Sequence, residues 1–165
     1  MTPLQCADEI AAFLKKQITD DQEEVLTLLK SDTGTITNVE EIRVYTGFLP
    51  RATTNERKKE LCPAIVVRPE NVTDTDDGSQ VKLLLSVTTY DEDKEKGYVS
   101  LYNLLEWVRF KLLANSPVGE RWDLSGSLET VIPDDQPFPQ WWGYLEGSFV
   151  LPQPHKIYWR NLGGR

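Results

Sequence analysis

The stretch from Val81 to Leu113 constrains the fold most, because its apolar residues change from the period of a strand to that of a helix. In its first part, alternate residues are apolar and mark one face: Val81, Leu83, Leu85 and Val87. This period predicts a strand with one face firmly buried. After an acidic turn that ends at Gly97, apolar residues at helical spacing form one stripe: Leu101, Leu104, Leu105, Val108 and Leu112. The stretch therefore predicts a buried strand, an acidic turn and one long central helix.

The same helix carries a second apolar face. Large apolar side chains lie outside the main stripe: Tyr98, Tyr102, Trp107, Phe110 and Leu113. A helix that is apolar on two sides needs two surfaces to bury against. One of them is the chain's own sheet, and we expect the other to be a second chain.

Length and composition indicate a single domain over residues 1–165. Hydrophobic residues make up 39% of the chain and charged residues 27%, which is typical of a soluble protein. No apolar run approaches the roughly 20 residues of a membrane span, and the N-terminus has no pattern of a secretory signal. We therefore expect no membrane contact and a chain that stays in the compartment where it is made.

The formal net charge of −8 argues against tight binding of DNA or RNA. Such binding requires clustered lysine and arginine side chains that displace counterions from phosphates. The densest basic group, residues 57–59, is flanked by Glu56 and Glu60. This pattern is typical of a solvated loop of mixed charge.

The N-terminal segment 1–30 is predicted to be helical, with Thr2 and Pro3 at its start. Residues 31–41 are predicted to form a loop or weak strand, and residues 42–50 a strand that ends at Pro50. We expect a mobile charged loop from Arg51 to Leu61, and then a strand, residues 62–69, bounded by prolines. The polar run 70–79 predicts a hairpin tip rather than a calcium loop, because the acid at the far end of such a loop is absent.

Two strands are predicted near the C-terminus, in residues 122–132 and residues 141–152. In the second, one face is apolar and suits a core: Trp141, Leu145, Phe149 and Leu151. The other face mixes aromatic and polar groups, as interfaces do: Trp142, Tyr144, Glu146, Ser148 and Val150. Beyond it we expect a short edge strand at residues 157–159 and a flexible C-terminal tail, residues 160–165.

No pattern in the sequence indicates catalysis, a cofactor or a metal site. The chain has no P-loop, dinucleotide-binding glycine motif, HExxH or GxSxG, and no paired Cys and His nucleophile motif. Neither cysteine belongs to a motif, so Cys6 and Cys62 are interpreted as small buried apolar residues. The single histidine, His155, is interpreted as structural or exposed. The acidic residues 91–93 are explained by a turn and a helix start, although an active-site acid is the alternative. The five tryptophans favour core and interface positions over a platform for sugars or bases.

Three patterns together resemble the tail terminator (tail completion) proteins of long-tailed bacteriophages. They are the strand, acidic turn and helix TTYDEDKEKGYVSLYNLLEWVRFKLL, the strand CPAIVVRP before it, and PDDQPFPQWWGYLEGSFVLP after it. The resemblance covers residues 42–152 and lies in element order and aromatic placement. It implies an α/β (α+β) fold, with a mixed and mainly antiparallel sheet flanked by helices.

The resemblance also implies a function. Six copies would form a ring on the finished tail tube, stop its polymerisation and join it to the head-completion or neck proteins. The partners would be other copies of the chain, the major tail tube protein and a neck protein, while DNA would pass through without specific binding. The protein would be found at the tail–neck junction of the virion, and in the host cytoplasm during assembly.

We expect five aromatic residues to contribute to subunit contacts, because one core cannot cover them all: Tyr98, Trp107, Phe110, Trp142 and Tyr144. A head-closure protein or another neck or tube component is the alternative within virion assembly. A monomeric cytosolic ligand-binding domain is the alternative from a different class. The mass of the protein in solution separates a ring from a monomer.

Overall fold

The structure is a computed structural model that describes residues 1–30 and 38–155. The predicted edge strand at residues 157–159 and the flexible tail 160–165 lie outside the described residues. The elements, in chain order, are α1 (Pro3–Asp20), α2 (Gln22–Leu28), a 3₁₀ turn (Val39–Glu41), β1 (Arg43–Thr46), α3 (Asn55–Leu61), β2 (Ala64–Thr75), β3 (Gly78–Tyr90), α4 (Tyr98–Ala114), β4 (Leu124–Val131) and β5 (Gln140–Leu151).

The five strands form one mixed sheet in the order β1-β2-β3-β5-β4. β1 pairs with β2 in parallel, and all other neighbouring strands are antiparallel. The chain therefore has an α+β fold with a mixed, mainly antiparallel sheet, and this confirms the predicted fold class.

The helix α1 begins where the sequence predicts. Thr2 is extended and its Oγ1 accepts a hydrogen bond of 3.1 Å from the N–H of Gln5, while Pro3 occupies the first helical position. Its buried face packs on β1 and β2. The residues of that face are Cys6, Ala7, Ile10, Ala11, Leu14 and Ile18. The predicted helical segment 1–30 is thus two helices, α1 and α2.

The central strand and helix form the middle of the core. α4 packs on β3 and β5, beside α1, and all the residues of its predicted apolar stripe are buried. On β3, the predicted apolar face meets these helices. The alternation predicted for β5 is also confirmed, because Leu145, Phe149 and Leu151 are buried in the same core. Both main helices therefore cover one face of the sheet.

The predicted loop at Arg51 to Leu61 is wrong, and the predicted hairpin tip at residues 70–79 is confirmed but shorter than expected. Residues 55–61 form α3, which begins with a hydrogen bond of 3.2 Å from the N–H of Arg57 to Thr54 Oγ1. The strand β2 continues to Thr75 and pairs with β3 along its length, so only Asp76 and Asp77 turn the hairpin. The polar composition of residues 70–79 concealed the end of β2 because residues 70–75 are exposed on both faces of the strand. Among the described residues, no helix is long and apolar enough to span a membrane.

Candidate subunit interface

The outward side of α4 exposes large apolar side chains along its whole length. Phe110 keeps 62% of its surface accessible, Tyr102 49% and Tyr98 45%. Tyr98 and Tyr102 contact each other edge to face, with ring centroids 5.5 Å apart. We call this surface the α4 outer face. It comprises Tyr98, Val99, Tyr102, Glu106, Arg109, Phe110 and Leu113.

The polar centre of the α4 outer face is an ion pair. Arg109 Nη1 lies 2.9 Å from Glu106 Oε1, and both side chains are well exposed. An exposed pair of this kind contributes only about 0–1 kcal/mol to stability. Both residues are therefore able to exchange this contact for another one at little cost.

The prediction that Trp107 belongs to this exposed surface is wrong. Trp107 keeps only 4% of its surface accessible and is part of the core. The reason is α2, which packs along this flank of α4: Asn103 Nδ2 donates to the Leu28 carbonyl at 3.2 Å, and Lys111 pairs with Asp21. The helical spacing did not reveal that a second helix covers this side.

The acidic turn before α4 has a structural role. Asp91 Oδ1 accepts a hydrogen bond from the N–H of Asp93 at 2.9 Å. Asp93 Oδ1 accepts bonds of 2.9 and 3.0 Å from the N–H groups of Glu95 and Lys96. These bonds hold the pKa of Asp93 below its ordinary value, since they favour the ionised carboxylate. The turn sets the start of α4, in agreement with the structural interpretation of residues 91–93.

The start of α4 is also fixed by Trp141. Its Nε1 donates to the Asp91 carbonyl at 3.0 Å, and its ring lies against Gly97. Phe138, which is exposed, contacts Trp141 edge to face at 6.0 Å. Trp141 is half-buried. Because it lies on β5 and contacts both Asp91 and Gly97, it joins the last strand to the turn before α4.

The reverse side of the sheet forms a second candidate surface. Trp142 and Tyr144, both half-buried, stack there with centroids 5.7 Å apart and planes at 26°. We call the exposed part of this side, on β3, β5 and β4, the open sheet face, because toward β1 and β2 the same side is covered: Ala64, Val66, Leu84 and Thr88 are buried there. Strand register assigns to the open sheet face Lys82, Ser86, Ser125, Glu129, Val131, Trp142, Tyr144, Glu146 and Ser148.

The α4 outer face and the open sheet face lie on opposite sides of the protomer. The buried stripe of α4 packs on one face of the sheet, so its exposed residues point away from the sheet. The open sheet face is the reverse of that same sheet. Four of the five predicted interface residues lie on these surfaces, Tyr98 and Phe110 on the first and Trp142 and Tyr144 on the second. Trp107 does not.

The described residues form several surface clefts. One of about 580 Å³ lies between α1 and residues 115–121, and the carboxylate of Glu9 in its wall is already engaged. Its Oε1 lies 2.8 Å from Arg121 Nη1, and its Oε2 accepts a bond of 2.6 Å from Trp122 Nε1. No group of three or more histidine, cysteine or acidic side chains in the described part of the chain is arranged to hold a metal ion.

A smaller cleft lies on the open sheet face. It has a volume of about 330 Å³ and is lined by Lys82, Ser125, Gly126, Ser127, Glu129, Glu146, Gly147 and Ser148. The sequence did not indicate this cleft, because the residues come together only through the register of β4 on β5, where a bulge follows Ser125.

No protein-family model matches the chain, and no curated protein sequence matches it significantly.

Proposed function

We propose that the protein is a structural component of a bacteriophage tail, which forms a six-membered ring on the end of the tail tube. The ring stops polymerisation of the tube and joins it to a head-completion or neck protein. It acts at the tail–neck junction of the virion and is assembled in the host cytoplasm. The proposal rests on the sequence resemblance described above and on the two candidate surfaces.

The single observation that carries the proposal is the position of these surfaces on opposite sides of one protomer. An interface between two different surfaces of the same chain is head-to-tail, and such interfaces generate rings when the rotation closes. The α4 outer face of one copy would cover the open sheet face of the next. Large aromatic groups on both sides, such as Phe110 and Trp142, suit the centre of such a contact.

The net charge supports the proposed passage of DNA. At −8 per chain, a ring of six copies carries a large negative charge that repels phosphates. The duplex would pass through the ring without binding it. The outer part of β2, residues 70–75, is exposed and provides a surface for the tube or neck protein.

Electron microscopy tests the proposal. The purified chain is mixed with tail tubes of the virus that encodes it, and the tube ends are imaged. We expect six-fold rings at one end only and tubes of uniform length. Tubes that end without a ring, and whose lengths are unaffected by the chain, would contradict the proposal.

Two variants make this test specific. Phe110→Glu introduces a charge into the α4 outer face and is expected to abolish ring formation, because the carboxylate would be desolvated in the contact. Asp8→Lys changes the charge of an exposed residue on α1, outside both surfaces, and serves as the control for a charge change elsewhere, with rings expected as in the parent.

A further inference from the structure

The cleft on the open sheet face contains an arrangement of like charges. Glu129 of β4 and Glu146 of β5 are direct partners across an antiparallel pair of strands. Like charges in this position destabilise a sheet. Among the described residues, no cation lies within ion-pair distance of either carboxylate. In the isolated protomer neither carboxylate therefore forms an ion pair with a described residue.

Lys82 lines the same cleft. It lies on β3 opposite Ser148, two residues before Leu84, which is the partner of Glu146. Lys82 forms no ion pair with a described residue. The cleft thus has two carboxylates at one side, a lysine at another and the hydroxyls of Ser125, Ser127 and Ser148 in its lining. Such a cleft is complementary to a side chain with several N–H donors and a positive charge. An arginine has five such donors, and its planar group binds carboxylates with two parallel bonds.

The α4 outer face presents one exposed arginine. Arg109 lies at its centre with apolar residues toward both ends of the helix, whereas Lys111 is mostly buried and paired with Asp21. The contact that Arg109 makes in the protomer, with Glu106, is an exposed pair on the same helix. The α4 outer face carries one acid and one base, Glu106 and Arg109. The cleft carries two carboxylates and one lysine, Lys82, so each charge on α4 has a charge of opposite sign in the cleft.

We propose that Arg109 of one copy enters the cleft of the next copy and binds Glu129 and Glu146, while Glu106 faces Lys82. This contact is the polar centre of the head-to-tail interface and fixes its register, with aromatic residues packing around it. The inference rests on the proposed self-association, and it adds the pair of residues that determines which surfaces meet.

Charge reversal with mixing tests the contact. One variant carries Arg109→Glu, and the other carries Glu129→Lys together with Glu146→Lys. Each variant places like charges across its own interface, and we expect self-association to weaken roughly 30-fold or more. An equimolar mixture places opposite charges across every interface, so it is expected to regain assemblies of the parent's mass.

The readout is sedimentation velocity at chain concentrations up to about 1 mM, with circular dichroism to verify that each variant is folded. Asp8→Lys reverses the charge of an exposed residue on α1, outside both surfaces; it is the control for a charge reversal elsewhere and is expected to assemble as the parent does. The conservative pair Glu129→Gln and Glu146→Gln is expected to weaken association less than the lysine pair does.

Several outcomes overturn the inference. If either reversed variant assembles like the parent, or if the mixture stays at the mass of its components, then Arg109 does not bind this cleft. A mixture that stops at a dimer shows a two-fold contact instead of a head-to-tail one. In each of these cases a parent that still forms rings leaves the proposed function standing, whereas a parent that never associates, even on tail tubes, overturns both.

Discussion

Gly97 lies directly against the indole of Trp141. A Cβ atom at position 97 would be 2.6 Å from Trp141 Nε1, 2.8 Å from its Cε2 and 2.5 Å from the carbonyl oxygen of Asp93. The last of these atoms belongs to the backbone of the turn, and the indole is held by its bond to the Asp91 carbonyl. The glycine before α4 is therefore required by close packing, since its own φ of −59° is open to any residue.

Gly97→Ala is predicted to lower the free energy of unfolding by about 1–3 kcal/mol, the usual cost of overpacking. Chemical denaturation followed by tryptophan fluorescence measures the change. Lys96→Ala, at the preceding exposed position, is the control and is expected to change stability by no more than about 0.5 kcal/mol. Equal stabilities of the two variants would show that the turn moves away from Trp141 without cost.

Substitution by alanine is predicted to lower the stability of the protomer strongly at Trp107 and hardly at all at Phe110. Trp107→Ala creates a cavity in the core and is expected to cost about 3–5 kcal/mol of stability. Phe110→Ala removes an exposed ring and is expected to change the stability of the protomer by about 0.5 kcal/mol or less. Denaturation measured at a concentration where the chain is monomeric compares the two. A Trp107→Ala variant as stable as the parent would contradict the burial of this residue by α2.

Glu9 is predicted to stabilise the protein through Trp122. Trp122 is fully buried, and Glu9→Ala leaves its N–H without the acceptor at 2.6 Å. An unsatisfied buried donor costs about 1–3 kcal/mol. Arg121→Ala breaks only the partly exposed ion pair to the same carboxylate and is expected to cost about 0–1 kcal/mol. Thermal unfolding ranks the two variants, and the reverse order would contradict the assignment.

Both cysteine thiols are predicted to be unreactive in the folded protein at pH 8. Burial, with a smaller contribution from the Glu9 carboxylate, raises the pKa of Cys6 to about 12. Burial also raises the pKa of the Cys62 thiol above its ordinary value. Because the thiolate is the reactive form, a raised pKa lowers the reactive fraction at any pH below it. A thiol-specific colorimetric reagent should find two thiols per chain only after denaturation, and rapid labelling without denaturant would contradict this account.

The fold could be predicted where periodicity and capping are local. Thr2 and Pro3 predicted the start of α1, and the stripe from Leu101 to Leu112 predicted the buried side of α4. The alternation in β5 separated Leu145 and Phe149 from Trp142 and Tyr144 because one face of the strand meets the helices.

The remaining features depend on contacts that are distant in the chain. Residues 70–75 of β2 are exposed on both faces, so they carry no period of burial. The burial of Trp107 requires knowledge of where α2 packs. The proximity of Lys82, Glu129 and Glu146 follows from the strand order β3-β5-β4, which reverses the order of β4 and β5 in the chain.

The mass of the assembled protein tests the central claim, that copies of the chain cover the α4 outer face. Six copies of 18.9 kDa give about 113 kDa, and sedimentation equilibrium distinguishes this mass from that of a single chain. We predict that the parent and Asp8→Lys reach the mass of the ring, while Phe110→Glu and Tyr102→Glu stay near 18.9 kDa with the parent's circular dichroism. If the glutamate variants were as large as the parent, or the parent stayed at the mass of one chain up to about 1 mM, the claim would be contradicted.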